Sequence, residues 1–180
     1  MTSRYSLPRR TALALAAGGL VSACATRPPE PRPRPAALTL TEAFLGRTRG
    51  EGVFRFPVAR VTRRFRADLD GRLEGDRLTV VEDFFYEDGE TDRLTWVFDR
   101  AGPGRWTGKR EDTVGEASVT EENGLIRLEY LADVRSRGSV TRLGFRDLIY
   151  RAGPDLIVNE AVVAWRGLPL GSVRFEIRRA

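Results

Sequence analysis

From about residue 50 onward, apolar and polar side chains alternate along the chain. Phe65, Ala67 and Leu69 interleave with Arg64, Arg66 and Asp68, the period-two mark of a strand buried on one face. The same alternation recurs in Leu94-Trp96-Phe98, Ile126-Leu128-Tyr130, Leu143-Phe145 and Val173-Phe175-Ile177. Turn signals separate the runs at Asp70-Gly71, Asp88-Gly89, Gly102-Pro103-Gly104, Asn123-Gly124, Gly153-Pro154 and Gly167-Leu168-Pro169. No long stretch carries a 3.6-residue period. The pattern predicts an all-β domain, an antiparallel up-and-down β-barrel of about eight to ten strands, because tight turns join neighbours and closure removes exposed sheet edges. Ahead of the first strand, Leu38 to Leu45 reads as a turn of helix opening at Thr39 or Thr41.

The N-terminal part follows a different pattern. Arg4, Arg9 and Arg10 precede an apolar run from Thr11 to Val21, then the small residues Val21-Ser22-Ala23 and Cys24. This reads as a bacterial export signal, and it resembles the lipoprotein type, with Val21-Ser22-Ala23-Cys24 as the lipobox. That resemblance implies an acylated Cys24 that becomes the first residue after cleavage and partners the chain with a membrane. The apolar run is shorter than the ~20 residues of a spanning helix. Arg9-Arg10 also resembles a twin-arginine export signal, which Thr11-Ala12-Leu13 fits loosely. Behind Cys24, the run Arg27-Pro28-Pro29-Glu30-Pro31-Arg32-Pro33-Arg34-Pro35 reads as an extended polyproline spacer. At ~3.1 Å per residue it reaches about 30 Å. The expected organisation is a signal peptide (1–23), a lipidated Cys with a Pro/Arg-rich linker (24–37) and the β-barrel domain (38–180). Ala25 stands where an Asp would be the inner-membrane retention signal of the lipoproteins this segment resembles, so that resemblance implies the outer membrane, periplasmic face, as the destination.

Charge and composition exclude more than they assign. The formal net charge is +5, but residues 1–23 hold three of the 30 basic residues and no acidic one, leaving 27 against 25. The arginines are scattered, which argues against nucleic acid as a partner, since that calls for a concentrated basic stripe. Cys24 is the single Cys and the chain has no His. His-based triads and imidazole ligands to zinc are therefore excluded, and an internal disulfide cannot form. There is no Gly-x-Ser-x-Gly nucleophile frame and no Gly-rich phosphate loop ahead of a helix. The expectation is a non-enzymatic protein with no cofactor and no metal.

The run from Leu78 to Trp96 is built around Asp88-Gly89, a two-residue hairpin signal because both positions tolerate positive φ. With those two at the tip, Val81 faces Trp96, Asp83 faces Leu94 and Phe85 faces Asp92. On the other side Val80 faces Val97, Glu82 faces Thr95 and Phe84 faces Arg93. The first face is the more apolar and is expected to be the interior, which turns Asp83 inward. This register also sets Glu87 against Glu90, a like-charge pair that disfavours it.

The hairpin, with Gly108, Asp112-x-x-Gly115 and the closing Gly171-Ser172-Val173-x-Phe175, resembles a family of uncharacterised bacterial lipoproteins catalogued as domain of unknown function 3833. The best-matching pieces are Glu82-Asp83-Phe84-x-Tyr86-x-Asp88-Gly89-Glu90 and Arg93-x-x-Trp96. The resemblance runs from about Phe44 to the C-terminus and includes the lipobox. Where the family has an Asp-Asp-Trp-Met run and a Phe-Gly pair, this chain has Arg146-Asp147-Leu148-Ile149-Tyr150 and Trp165-Arg166-Gly167. The resemblance implies a lipid-anchored, lipocalin-like β-domain and confers no activity.

A barrel of about eight strands is either filled by its own side chains or just wide enough for one small ligand. Arg63 shares the parity of Phe65, so Arg63 with Asp83 is the first candidate for an interior ion pair. Asp147 and Asn159 share the parity of Phe145 and Ile157 and complete a candidate polar cluster. Such a cluster either fixes the head group of an amphipathic ligand whose tail lies along Trp96, Phe98 and Phe145, or satisfies itself as a structural plug. In the second case the protein is an envelope scaffold with a filled barrel. An open lumen of about 300 Å³ or more separates the two. Carboxylate-only hydrolysis is a third reading. It needs carboxylates from different strands, because adjacent strand residues point to opposite faces.

Overall fold

The computed structural model describes residues 37–180 apart from position 137. Cys24, the lipobox residues Val21, Ser22 and Ala23, the Arg9-Arg10 pair, and the signal and linker as far as position 36 lie outside the described residues. Ten antiparallel strands close into one barrel in which every neighbour in sequence is a neighbour in space. They are β1 (Gly46–Phe56), β2 (Val61–Glu74), β3 (Arg77–Tyr86), β4 (Thr91–Gly102), β5 (Arg105–Lys109), β6 (Ala117–Glu122), β7 (Leu125–Ser136), β8 (Ser139–Gly153), β9 (Leu156–Trp165) and β10 (Leu168–Arg179). Pairing of β1 with β10 seals the cylinder and leaves no free edge. The alternating runs of the sequence all point inward as expected, with Phe65, Ala67, Leu69, Trp96, Phe98, Ile126, Leu128, Phe175 and Ile177 buried.

The outer face is held by charge. Arg49 stands directly across from Asp68, Arg77 from Asp99, Asp83 from Arg93, and Asp133 from Arg142. Each of these cross-strand pairs is an ion pair. Exposed pairs contribute little individually, ~0.2–1 kcal/mol, but a one-residue slip would break all four, so together they specify register.

One end of the cylinder is closed by a short helix, α1 (Leu40–Phe44). Thr39 is its N-cap and Glu42 completes a capping box. Leu38, Leu40, Ala43 and Phe44 are buried against the barrel residues. Glu121 on β6 accepts from the Leu40 N–H at 2.7 Å and from the Trp106 indole N–H at 3.0 Å. On the opposite side of the ring, Arg179 donates to the carbonyls of Leu45 and Glu42. The helix therefore spans the barrel end from β6 to β10.

Asp70-Gly71 is not a turn, contrary to the sequence expectation. β2 runs straight through it and turns at Gly75, whose φ of +58° suits the bend. Gly71 serves close approach instead: a Cβ there would lie 1.8 Å from the Phe44 carbonyl oxygen. Gly71→Ala must push the α1–β1 junction off the barrel end. It is expected to lower stability by about 2 kcal/mol, read as a fall in the denaturation midpoint with an unchanged denaturant slope.

Candidate functional site

The hairpin at Asp88-Gly89 decides what faces the lumen. Gly89 has φ +84°, but Asp88 is not in the positive region. The Gly89 N–H donates to the Tyr86 carbonyl and the Tyr86 N–H to the Glu90 carbonyl, so the loop is Glu87-Asp88-Gly89, three residues and not two. A turn closed by a left-handed glycine is the common three-residue hairpin, and it spares Glu87 from facing Glu90. The pairing accordingly shifts by one residue: Val80 faces Trp96, Glu82 faces Leu94 and Asp83 faces Arg93.

That shift exchanges the faces of β3. Val81, Asp83 and Phe85 lie on the outer wall, while Val80, Glu82, Phe84 and Tyr86 point in. Asp83 is therefore not an interior residue. It is bound on the surface by Arg93, which holds its carboxyl below the usual carboxylate range. Nor does Arg63 pair with Asp83. Arg63 keeps the parity of Phe65 and sits at the barrel mouth, with its guanidinium 3.6 Å from the centre of the Tyr86 ring and bonded to Asp88 and Glu90. The carboxylate inside is Glu82, 8 % exposed.

The lumen opens at the end away from α1 and encloses a cavity of about 1160 Å³. Ten strands make a wider cylinder than eight, and glycines on β1 make room for inward phenylalanine rings to lie against the wall. Gly52 offers bare backbone to the Phe65 ring. The wall is largely aromatic. Trp96 stacks on Phe98 at 5.0 Å and meets Tyr130 edge-on at 5.0 Å, and Tyr130 stacks on Phe145 at 4.8 Å. Trp96, Phe98 and Phe145 thus stand together along the cavity, as the sequence parity placed them.

β5 and β6 are too short to reach the open end, and the loop 110–116 fills the gap. Its Val114 N–H donates to the Leu131 carbonyl, and its Asp112 carbonyl accepts from the Asp133 N–H, extending the wall beside β7. Glu111 accepts the Thr95 N–H at 2.7 Å, replacing a strand partner that β4 lacks there. This loop sends Arg110 into the lumen. Its guanidinium grips Asp112 with two hydrogen bonds of 2.7 and 2.9 Å and lies over the faces of Trp96 and Tyr130. Its Nη1 is 3.7 Å from Glu82 Oε2, an ionic contact too long for a hydrogen bond.

Asp147 and Asn159 do project into this cavity, side by side. The Asn159 amide donates to Asp147 Oδ2 at 3.4 Å. Burial pushes the Glu82 carboxyl up to about 7 against the opposing charge of Arg110, with Asp147, Asp112 and Glu111 adding to the rise. Burial likewise pushes Asp147 up to about 7, against the Asn159 hydrogen bond and Arg110. Three oxygens here, Glu82 Oε2, Asp147 Oδ1 and Asn159 Oδ1, are buried without a hydrogen-bond partner in the protein.

Sequence parity thus found half of the polar cluster and missed Glu82 and Arg110. The like-charge clash of Glu87 with Glu90 was the signal that could have moved the hairpin and revealed Glu82. For Arg110 the local signal is weak: it extends the inward parity of Trp106 and Gly108 past the end of a strand. Among the described residues no three acidic, His or Cys side chains are grouped closely enough to hold a metal ion.

Solved structures share this architecture. The S-type phycobiliprotein lyase of Guillardia theta aligns with a TM-score of 0.58 at 12% identity, covering 77% of this chain and 89% of that one. A protein of unknown function from the DUF3598 family of Nostoc punctiforme aligns with a TM-score of 0.51 at 16% identity, covering 82% of this chain and 51% of that one. At such identities the likeness is one of fold. No curated protein matches the sequence. The family model described as protein of unknown function DUF3833 matches residues 19–179, and the chain belongs to that family.

Proposed function

We propose that this protein is a non-enzymatic carrier or binder of an amphipathic, lipid-like molecule. The ligand is held in the barrel lumen, and the domain is tethered by an acylated Cys24 to the periplasmic face of the outer membrane. The observation that carries the reading is the open lumen of about 1160 Å³, walled by Trp96, Tyr130 and Phe145 and carrying buried polar atoms without partners. A cavity of this size exceeds the few hundred Å³ that a drug-sized ligand needs, and an envelope scaffold with a filled barrel would have no use for it. The lyase neighbour shares a fold suited to enclosing a small molecule. Anchoring rests on the lipobox and its basic, apolar lead-in, and acyl chains contribute about 0.8 kcal/mol per buried CH₂.

Carboxylate-only catalysis has less support. It needs environments that set one carboxyl apart as acid and the other as ionised partner. Here the same burial raises Glu82 and Asp147 together. Native mass spectrometry of the protein purified from its own membranes tests the carrier reading. A copurifying apolar molecule is expected, released when the domain unfolds. Consistently empty protein, with tryptophan emission unmoved by added amphiphiles, would defeat it.

A further inference from the structure

The head group that the lumen would hold can be read from what its polar wall lacks. The chain as a whole is basic, with a formal charge of +5. The described residues lining the cavity reverse that sign, with eight carboxylates against four arginines. Of the four, Arg63 is bound to Asp88 and Glu90 at the mouth, Arg93 to Asp83 outside, and Arg110 to Asp112, while Arg135 is exposed near the end of β7. The deep polar atoms left over are Glu82 Oε2, Asp147 Oδ1 and Asn159 Oδ1. Glu82 and Asp147 are 8 % and 7 % exposed, and both face the lumen.

All three oxygens accept hydrogen bonds when the carboxyls are ionised. Each such buried acceptor without a donor is costly, and a buried charge more so. A fatty-acid carboxylate would bring a third negative charge to this wall and no donor. An ammonium brings up to three donors and the missing positive charge.

Resting on the lumen-binding reading above, we propose that the lumen selects amphiphiles with a cationic, hydrogen-bond-donating head group, an alkyl ammonium or its like, seated between Glu82 and Asp147. Fatty acids of the same length are rejected by the same wall. Glu82 faces Arg110, Glu111 and Asp112 from the loop, Asp147 from β8 and Tyr130 from β7, while Asp147 faces Arg110 and Asn159. Of these, only Arg110 is cationic, and it is held by Asp112.

The test compares dodecylamine, dodecanoic acid and dodecanol binding to the full chain carrying Cys24→Ser, followed by tryptophan emission near pH 8. The amine is expected to bind at least about tenfold more tightly than the acid, with the alcohol between them. Glu82→Gln with Asp147→Asn, folded by circular dichroism, is expected to bring amine and acid to within about twofold of each other. In the unaltered binding site, amine affinity is expected to fall severalfold from about pH 8 to about pH 5 as the two carboxyls take up protons. An acid that binds as tightly as the amine, a preference that survives both substitutions, or amine binding indifferent to pH would each overturn the head-group assignment and leave the lumen a binding site. Failure of all three amphiphiles to bind would overturn the lumen reading, and this proposal with it.

Discussion

Arg110→Met is expected to destabilise the protein by about 3–5 kcal/mol near pH 8, because it strands carboxylates that have no other cation beside them. Arg110 and Glu82 are each 10 % exposed at the side chain and Asp112 20 %, so water restores little of what the guanidinium supplied. Methionine keeps much of the apolar volume over Trp96 and Tyr130, which isolates loss of charge from loss of packing. Equilibrium denaturation of four proteins checks the assignment: the wild type, Arg110→Met, Glu82→Gln and the double variant. The loss is expected to shrink in the Glu82→Gln background, a coupling of 0.5 kcal/mol or more between residues in one network, on the order seen for such neighbours. The loss is also expected to shrink near pH 5, where Glu82 holds its proton. An equal loss in both backgrounds and at both pH values would mean that Arg110 acts by covering the two rings, and that the ionic contact to Glu82 carries nothing.

The architecture was legible in the sequence because a barrel repeats one simple rule. Alternation that buries Phe65, Trp96, Leu128 and Phe175 can be read from any single strand, and the dipeptide turns show that neighbours in sequence pair. The Asn123-Gly124 turn illustrates the rule, since both residues have positive φ and join β6 to β7 by two residues. At Asp88-Gly89 the same composition makes a three-residue loop, and one residue of slip carries Asp83 out and Glu82 in. Dipeptide identity does not separate these turns. What does is the charge on each flank, which the Glu87–Glu90 clash made available. Gly71 shows a second limit. A glycine beside an aspartate reads as a turn, yet this one stays in a strand because a helix from elsewhere in the chain rests on it. Arg110 lies furthest from local inference. Its inward position continues the parity of Trp106 and Gly108, but past the end of β5, where a loop that fills the place of two short strands holds it, a tertiary fact.

Stability is expected to decline as pH rises from about 4 to about 7, and Glu82→Gln with Asp147→Asn to remove most of that decline. Burial is the cause of both raised carboxyls, Glu82 from 4.5 and Asp147 from 3.8, each to about 7. The unfolded chain releases these protons near pH 4, whereas the folded chain keeps them until about 7. Their contribution is therefore complete below about pH 4, shrinks across the interval, and is gone once the folded carboxyls ionise. The exposed pairs run the other way. Asp83, Asp99 and Asp133 are held below the usual range by Arg93, Arg77 and Arg142. Their stabilisation is present above about pH 4 and is lost as the solution becomes more acidic than that. Urea denaturation at about pH 5 and about pH 8 is expected to show a loss on the order of 5 kcal/mol in the wild type and under about 1 kcal/mol in the double variant. Parallel declines in both proteins would place the pH sensitivity elsewhere. Two carboxyls that weaken the fold at neutral pH make sense in a wall that meets its counter-charge in a ligand. A bound alkyl ammonium should accordingly raise the melting temperature more at about pH 8 than at about pH 5, and a bound fatty acid should not.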